Sequence, residues 1–291
     1  MSYLAQTAAF HSRTHKHADD LSFIWSDAGR DILVDAGRYG YIGKTAQGSD
    51  LWQQGFWYAD PNRIYCETTR AHNTLEFDGR NFPRKGAAPY GSAVGRSAVH
   101  ESGLIAMESE VKHFKSIRHA RVLLFMPARW LAVVDWFHDN NADKHDVRQW
   151  FHFAPQLHVV KEGDGFSVPL DPAMAGRSHP PLRVAPLLGG TTASRLYLGE
   201  EEGQRQGWWS AKERDIVPNY AVSFDMAQAQ TGVFATLFSF TDTLDIDPAR
   251  SASNISGRNV NLSWRDDSGT HQIRLERPAA GEMSLAYALQ G

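Results

Sequence analysis

Short runs in which apolar and polar residues alternate fill most of this chain, and turn residues separate them. Nowhere does a long stretch place its apolar residues at helical spacing. Side chains that switch faces at every residue belong on strands with one face covered. Asn73 to Phe77 alternates in this way, and Asp78-Gly79 turns it. Residues 96–107 and 108–113 follow, then 118–126 and 129–137 as a pair around Pro127-Ala128, then 146–154 leading into 157–161. After a Gly- and Pro-rich stretch at 163–190, read as irregular, strands are expected at 195–198, 220–225, 232–241, 259–264, 271–276 and 283–288. Many short strands at regular intervals predict an all-β fold, a multi-stranded antiparallel β-sandwich of jelly-roll type. Composition does not shift along the chain and no fixed repeat is visible, so residues 1–291 read as one domain. A C-terminal sub-sheet is possible from about residue 205.

Composition narrows the partners. Thirty basic against 33 acidic residues give a net charge of -3. That disfavours nucleic acid, which needs a broad basic surface, but leaves room for a local groove suited to an acidic polymer. With 1 cysteine no intrachain disulfide forms, and Cys66 reads as a plain buried thiol. There is no apolar run of the roughly 18 residues a membrane span needs, and the first residues lack the basic start and apolar segment of a signal peptide.

The chemistry concentrates near the N-terminus, in HSRTHKHADDLSFIWSDAGRDILVDAGRYG. His15 and His17 flank Lys16. An apolar run from Leu21 to Trp25, a turn at Ser26 to Gly29 and a second run ending on Asp35 follow. A strand, a turn and a strand bring the outer ends of a hairpin back together, so His17 and Asp35 can share a site. His72 stands at the mouth of the strand beginning at Asn73. Two imidazoles and a carboxylate at strand ends suit zinc with an open position. His17-Ala18-Asp19 with a distal histidine also fits the two-histidine, one-carboxylate set of non-haem iron oxygenases.

HKHADDLSFIW, GRDILVDAGRYGY and RIYCETTRAHNTLEFDGR together carry H-x-H-x-D, D-x-G, R-x-Y and A-H-N-T. With DVRQWFHFAP at 146–155 and GWWSAKERDIVPNYAVSF at 207–224, this pattern resembles the heparinase II/III-like domain of polysaccharide lyases, the group of heparinase II, heparinase III and oligoalginate lyases. The resemblance covers most of the chain. It implies a β-sandwich whose bound metal, usually zinc (Zn2+), braces a catalytic cleft, with His17, Asp35 and His72 as the ligands. It further implies a cleft histidine at His15 and a catalytic tyrosine at Tyr58, with Tyr65 as the second choice; Arg70 is a candidate for substrate carboxylates.

The implied reaction is β-elimination on a uronate-containing acidic polysaccharide such as a glycosaminoglycan or alginate. A base takes the C5 proton and an acid protonates the oxygen leaving C4. The implied setting is periplasmic or secreted. The family also implies an N-terminal α/α-toroid that completes the cleft, which these residues do not contain, so activity of the chain alone is doubtful. The other reading is a non-catalytic acidic-glycan-binding sandwich with the metal as a staple. Other histidines, among them His100, His113, His119, His179 and His271, read as surface or strand-face residues. Arg118 and Arg121 read as solvated, and Trp208-Trp209 as structural rather than sugar-stacking.

Overall fold

The computed structural model describes residues 1–8, 15–84, 92–170, 179–188, 190–254 and 258–291. Its backbone is an antiparallel β-sandwich with a further layer on one side. The central sheet has 8 strands. In spatial order these are Val160–Glu162, Gly165–Val168, Leu182–Pro186, Thr231–Phe240, Trp130–Asp139, Ile117–Met126, Ile105–His113 and Ser92–Val99. Its middle strands are apolar at nearly every position, as expected where both faces are covered. Leu123, Phe125, Leu131, Val133, Phe137, Phe234 and Phe238 point into one core. Val122, Leu124, Trp130, Ala132, Val134 and Leu237 point into another.

The first core is closed by a 4-stranded sheet, ordered Ala193–Leu198, Tyr220–Ala229, His145–His152 and Leu75–Phe77, with the N-terminal three-stranded sheet beside it. The second is closed by the C-terminal sheet, where Val260, Leu262, Trp264, Ile273 and Leu275 face inward. That sheet begins at Leu244–Asp245. The long strands between 205 and that point belong to the sandwich proper, because Tyr220–Ala229 and Thr231–Phe240 pair with His145–His152 and Trp130–Asp139.

Several local expectations need correction. Asp60-Pro61-Asn62 starts the helix Pro61–Glu67, an element outside the expected strands. Asp60 caps it by accepting from the Asn62 and Arg63 amides, and Pro61 occupies the first turn, where a missing N–H costs nothing. Residues 96–107 are not one run, since Ser92–Val99 and Ile105–His113 are separated by a tight turn closed by His100 N to Leu104 O. The stretch 163–190, read as irregular, supplies Gly165–Val168 and Leu182–Pro186 to the central sheet; within it, 171–178 and 189 lie outside the described residues. No helix among the described residues is long and apolar enough to cross a membrane.

Arg121, read as solvated, is instead fully buried. Its Nε donates to Asp135 Oδ1 at 2.8 Å and its Nη2 to Asp135 Oδ2 at 2.6 Å. Gln149 Nε2 donates to Asp135 Oδ2 at 2.8 Å, and His119 Nε2 lies 2.9 Å from Asp135 Oδ1. His113, His119 and His271 are likewise interior. Strand alternation assigns a face to each of these residues, but it does not reveal that the polar face is covered by another layer.

Candidate metal centre

Three segments deliver the three candidate ligands, and each is locked by hydrogen bonds its sequence makes possible. The hairpin Phe23–Asp27 and Arg30–Leu33 turns through Ala28 and Gly29, both at positive φ (50° and 76°), as a tight two-residue hairpin loop requires. Its second strand then docks on His145–His152, with Val34 N donating to His152 O at 2.9 Å. Asp35 follows at once. Its Oδ1 accepts from Gly37 N at 3.0 Å, while Ala36 O accepts from Ser210 N at 3.0 Å. Gly37 has φ 79°, and a Cβ there would stand 1.9 Å from Ser210 O, so only glycine lets these backbones meet.

His17 is anchored from both sides. Ala18 N donates to Glu67 O at 3.0 Å, and Arg84 Nε donates to Lys16 O at 2.7 Å. Behind it, buried Glu67 accepts both Arg84 amino groups at 2.7 Å and is also paired with Arg63. His72 caps the 3-10 turn Thr69–Ala71 and is fully buried.

Asn73, the next residue, ties the three segments together. Its Nδ2 donates to Phe23 O at 2.7 Å and to Val34 O at 3.0 Å, and its Oδ1 accepts from His152 N at 2.7 Å. Its own carbonyl accepts from Arg121. Sequence reading passed over Asn73 as a role-bearing residue, although it follows the candidate ligand directly in A-H-N-T, which was the available signal; that its amide is fully buried emerges only in the fold.

The ligand atoms of His17, Asp35 and His72 all lie within 4.8 Å of one another. Around one zinc ion at about 2.0–2.2 Å per ligand, tetrahedral donors stand roughly 3.4 Å apart, a gap that small side-chain rotations close. Asp35 Oδ2 is 2.6 Å from His72 Nδ1, and the His17 and His72 ring centroids are 5.5 Å apart. His72 Nε2 is buried with no hydrogen-bond partner among the described residues. A buried nitrogen normally finds a partner, so this one is an available donor atom. The residues present therefore fit a metal. Burial and the neighbouring His72 push the His17 imidazole down to about 3, which keeps it in the neutral, ligating form. Burial opposes the Asp35 charge, but His72 and its hydrogen bond outweigh that and hold the carboxyl at about 2. Asp19, the carboxylate of the iron-oxygenase reading, turns instead to Lys16 at 3.5 Å and is not among the three grouped ligands.

The pair His17 and Asp35 opens onto a cavity of about 390 Å³ lined also by Arg38, Tyr39, Lys212 and Glu213. His15 is exposed, with Nδ1 3.3 Å from Tyr41 Oη, which accepts from the cavity-lining Arg38 through Nη1 at 2.8 Å. Tyr58 is partly exposed, its ring 5.1 Å from that of Tyr41, and the Arg63 guanidinium lies against both rings at 5.1 and 5.9 Å. Tyr41 was absent from the sequence-level candidates.

Tyr65 is placed differently. It is buried, its hydroxyl accepts from the Gly207 and Trp208 amides at 3.2 and 3.3 Å, and burial pushes its phenol up. Arg70 is also inward, donating from Nε to Gln206 Oε1 at 3.1 Å and to Gln204, with Trp150 5.3 Å away. Its guanidinium is engaged within the domain. Trp208 packs beside Ala36, Tyr65 and Cys66, and Cys66 is a buried thiol that desolvation raises to about 12.

His152 sits beneath the centre, its Nε2 3.0 Å from Gln206 Nε2, and burial followed by the charge of His72 lowers it to about 3. Burial also lowers His113, aided by His119, and lowers His119 against the pull of Asp135. Below about pH 6.5 the unfolded chain protonates these rings while the folded chain does not, so stability falls with pH. His72 and His145 are raised despite burial, by Asp35 and by Asp78 and Asp139 respectively; protonated in both states at acid pH, they do not compensate there. Urea midpoints of the metal-free chain should fall between pH 7 and pH 5, with a slope approaching about 1.4 kcal/mol per pH unit for each buried neutral ring. A flat profile over that range would contradict neutral burial.

Comparison with known proteins adds the family and the fold. The family model described as heparinase II/III-like, C-terminal, matches residues 2–265. A comparison with curated protein sequences gives no match. Among solved structures, heparan sulfate lyase HepC from Pedobacter heparinus superposes with TM-score 0.68 at 13% identity, covering 99% of this chain and 39% of that one. A structure titled heparinase III gives TM-score 0.66 at 14% identity, covering 91% and 37%. The chain thus spans well under half the length of these structures, and at such identities the likeness is one of fold.

Proposed function

Because the chain belongs to the heparinase II/III-like C-terminal family, we propose that it is the β-sandwich part of a polysaccharide lyase acting on uronate-containing polysaccharide by β-elimination, with zinc held by His17, Asp35 and His72. The observation that carries this reading is the convergence of those three side chains, two of them on a cavity that Arg38 also lines, with Tyr41 hydrogen-bonded to Arg38 and His15 beyond it. The metal, when bound, supplies a fixed positive charge that braces the cleft wall.

The remaining work falls to the chain's own groups. Arg38, exposed on the cavity, pairs with the uronate carboxylate, and neutralising that charge is what makes the C5 proton removable. His15 and Tyr58 share the acid and base roles, with Tyr41 between them, hydrogen-bonded to His15 and in ring contact with Tyr58. Arg63 behind both tyrosine rings favours negative charge on that side of the cleft.

The test is a uronate polymer, heparan sulfate or alginate, incubated with the chain joined to a family toroid. Elimination leaves a C4–C5 double bond, so ultraviolet absorbance should rise, and the rise should be lost in Tyr58→Phe and His15→Ala. Binding of the polymer without any absorbance gain would reduce the chain to a glycan-binding module with a metal staple.

A further inference from the structure

The C-terminal sheet does not cover the whole outer face of the central sheet. Ala106, Val122, Leu124, Ala132 and Val134 are buried beneath it. Further along the same strands Ala120 pairs with Trp136, Arg118 with His138, and Lys112 with Arg118. Trp136 is partly exposed, its ring parallel to that of His138 (6.2 Å, 9°), and the Arg118 guanidinium lies 5.8 Å from its centroid. From the C-terminal side, Arg258 and Arg277 complete a cavity of about 280 Å³ that also takes in Arg96 and Glu108.

The charges here divide into frame and bait. Buried Glu108 accepts from Arg96 Nε at 2.6 Å and Arg277 Nε at 2.8 Å, and Arg96 also donates to Pro278 O at 2.7 Å. Those two arginines are held in place and build the wall. Arg118 pairs with Glu110 at 3.7 Å, with both side chains about half exposed, an ion pair that solvent makes weak and a ligand can displace. Lys112 is exposed and Arg258 partly so. A surplus of cations beside an indole face stands out in a chain of net charge -3.

We infer that this strip is a second glycan-binding site, which seats an acidic pyranose with its apolar face on Trp136 and its carboxylate or sulfate between Arg118 and Arg258. An indole presents a flat apolar surface, and a guanidinium fork matches a planar or tetrahedral oxyanion. A simple inorganic anion needs only the arginines. The choice of a sugar over another polyanion rests on the function proposed above. The strip lies on the opposite face of the central sheet from the core that carries His17, Asp35 and His72, so it holds a different part of the polymer.

Affinity electrophoresis of the whole chain through gels containing heparan sulfate, alginate or duplex DNA tests this. Retardation is expected with at least one uronate polymer, and weaker retardation with DNA. The Arg118→Gln/Arg258→Gln double variant should raise Kd about tenfold, the loss of one or two charge-assisted contacts, with thermal midpoint and metal content unchanged. Trp136→Ala should weaken binding similarly, and the double variant carries the test if that substitution disturbs folding. Lack of retardation of the unaltered chain, equal retardation by DNA, or unaltered binding by the double variant each overturns the site. Elimination activity that persists alongside any of these results leaves the lyase reading standing; strip-dependent binding without elimination removes the lyase reading and keeps the strip.

Discussion

His72→Ala should yield a chain that no longer holds stoichiometric zinc and unfolds at a lower temperature whether or not zinc is added. The unaltered chain should gain stability from zinc in proportion to the logarithm of its concentration. Binding to the folded state alone contributes about 4 kcal/mol at a thousandfold excess over Kd, and for a domain this large each kcal/mol moves the midpoint by roughly 2 °C. His17→Ala separates the two effects. His17 is only partly buried, whereas His72 has no exposed surface. His17→Ala should therefore lose the metal with a smaller penalty in the metal-free state, and a chelator should bring the unaltered chain close to it. Elemental analysis showing full zinc occupancy in both variants would dismiss the ligand set.

That site was legible because its parts are local. A hairpin must bring its ends together, so His17 and Asp35 follow from the turn at Ala28-Gly29, and A-H-N-T put His72 on the page as the third candidate. What could not be read was which polar residues lie inside. Arg121 and His119 alternate correctly on Ile117–Met126, but the fact that another layer covers their face is a property of the assembled sheets. Nor could the sequence show where Arg70 and Tyr65 point: Arg70, on the 3-10 turn, reaches Gln206, and Tyr65, on the helix Pro61–Glu67, accepts from the Gly207 and Trp208 amides. Tyr41 escaped notice because its importance comes from His15 and Arg38 meeting it in space.

Asp135→Ala should be among the most damaging single changes in the protein, although Asp135 lies outside the ligand set. The carboxylate is fully buried; despite the cost of burial, Arg121 holds it ionised, its carboxyl well below the usual range. Removing it strands the Arg121 guanidinium in the interior, and breaking a buried pair in this way typically costs about 3–5 kcal/mol. The damage should travel to the metal. Arg121 Nη1 donates to Leu21 O at 2.7 Å and also to Asn73 O, the residue that fastens His72 to both strands of the hairpin. Freed of Asp135, Arg121 no longer fixes that carbonyl, and zinc affinity should fall about 10–100-fold, as for other supporting groups behind metal ligands. Urea denaturation with competitive zinc titration measures both quantities on one sample. The paired change Arg121→Leu/Asp135→Leu should recover much of the stability, since it leaves no unpaired charge, yet should not restore zinc affinity, because the Asn73 carbonyl still lacks its donor. A single Asp135→Ala variant within about 1 kcal/mol of the unaltered chain, against the 3–5 expected, and with undiminished zinc binding, would show that the buried pair does not support the centre.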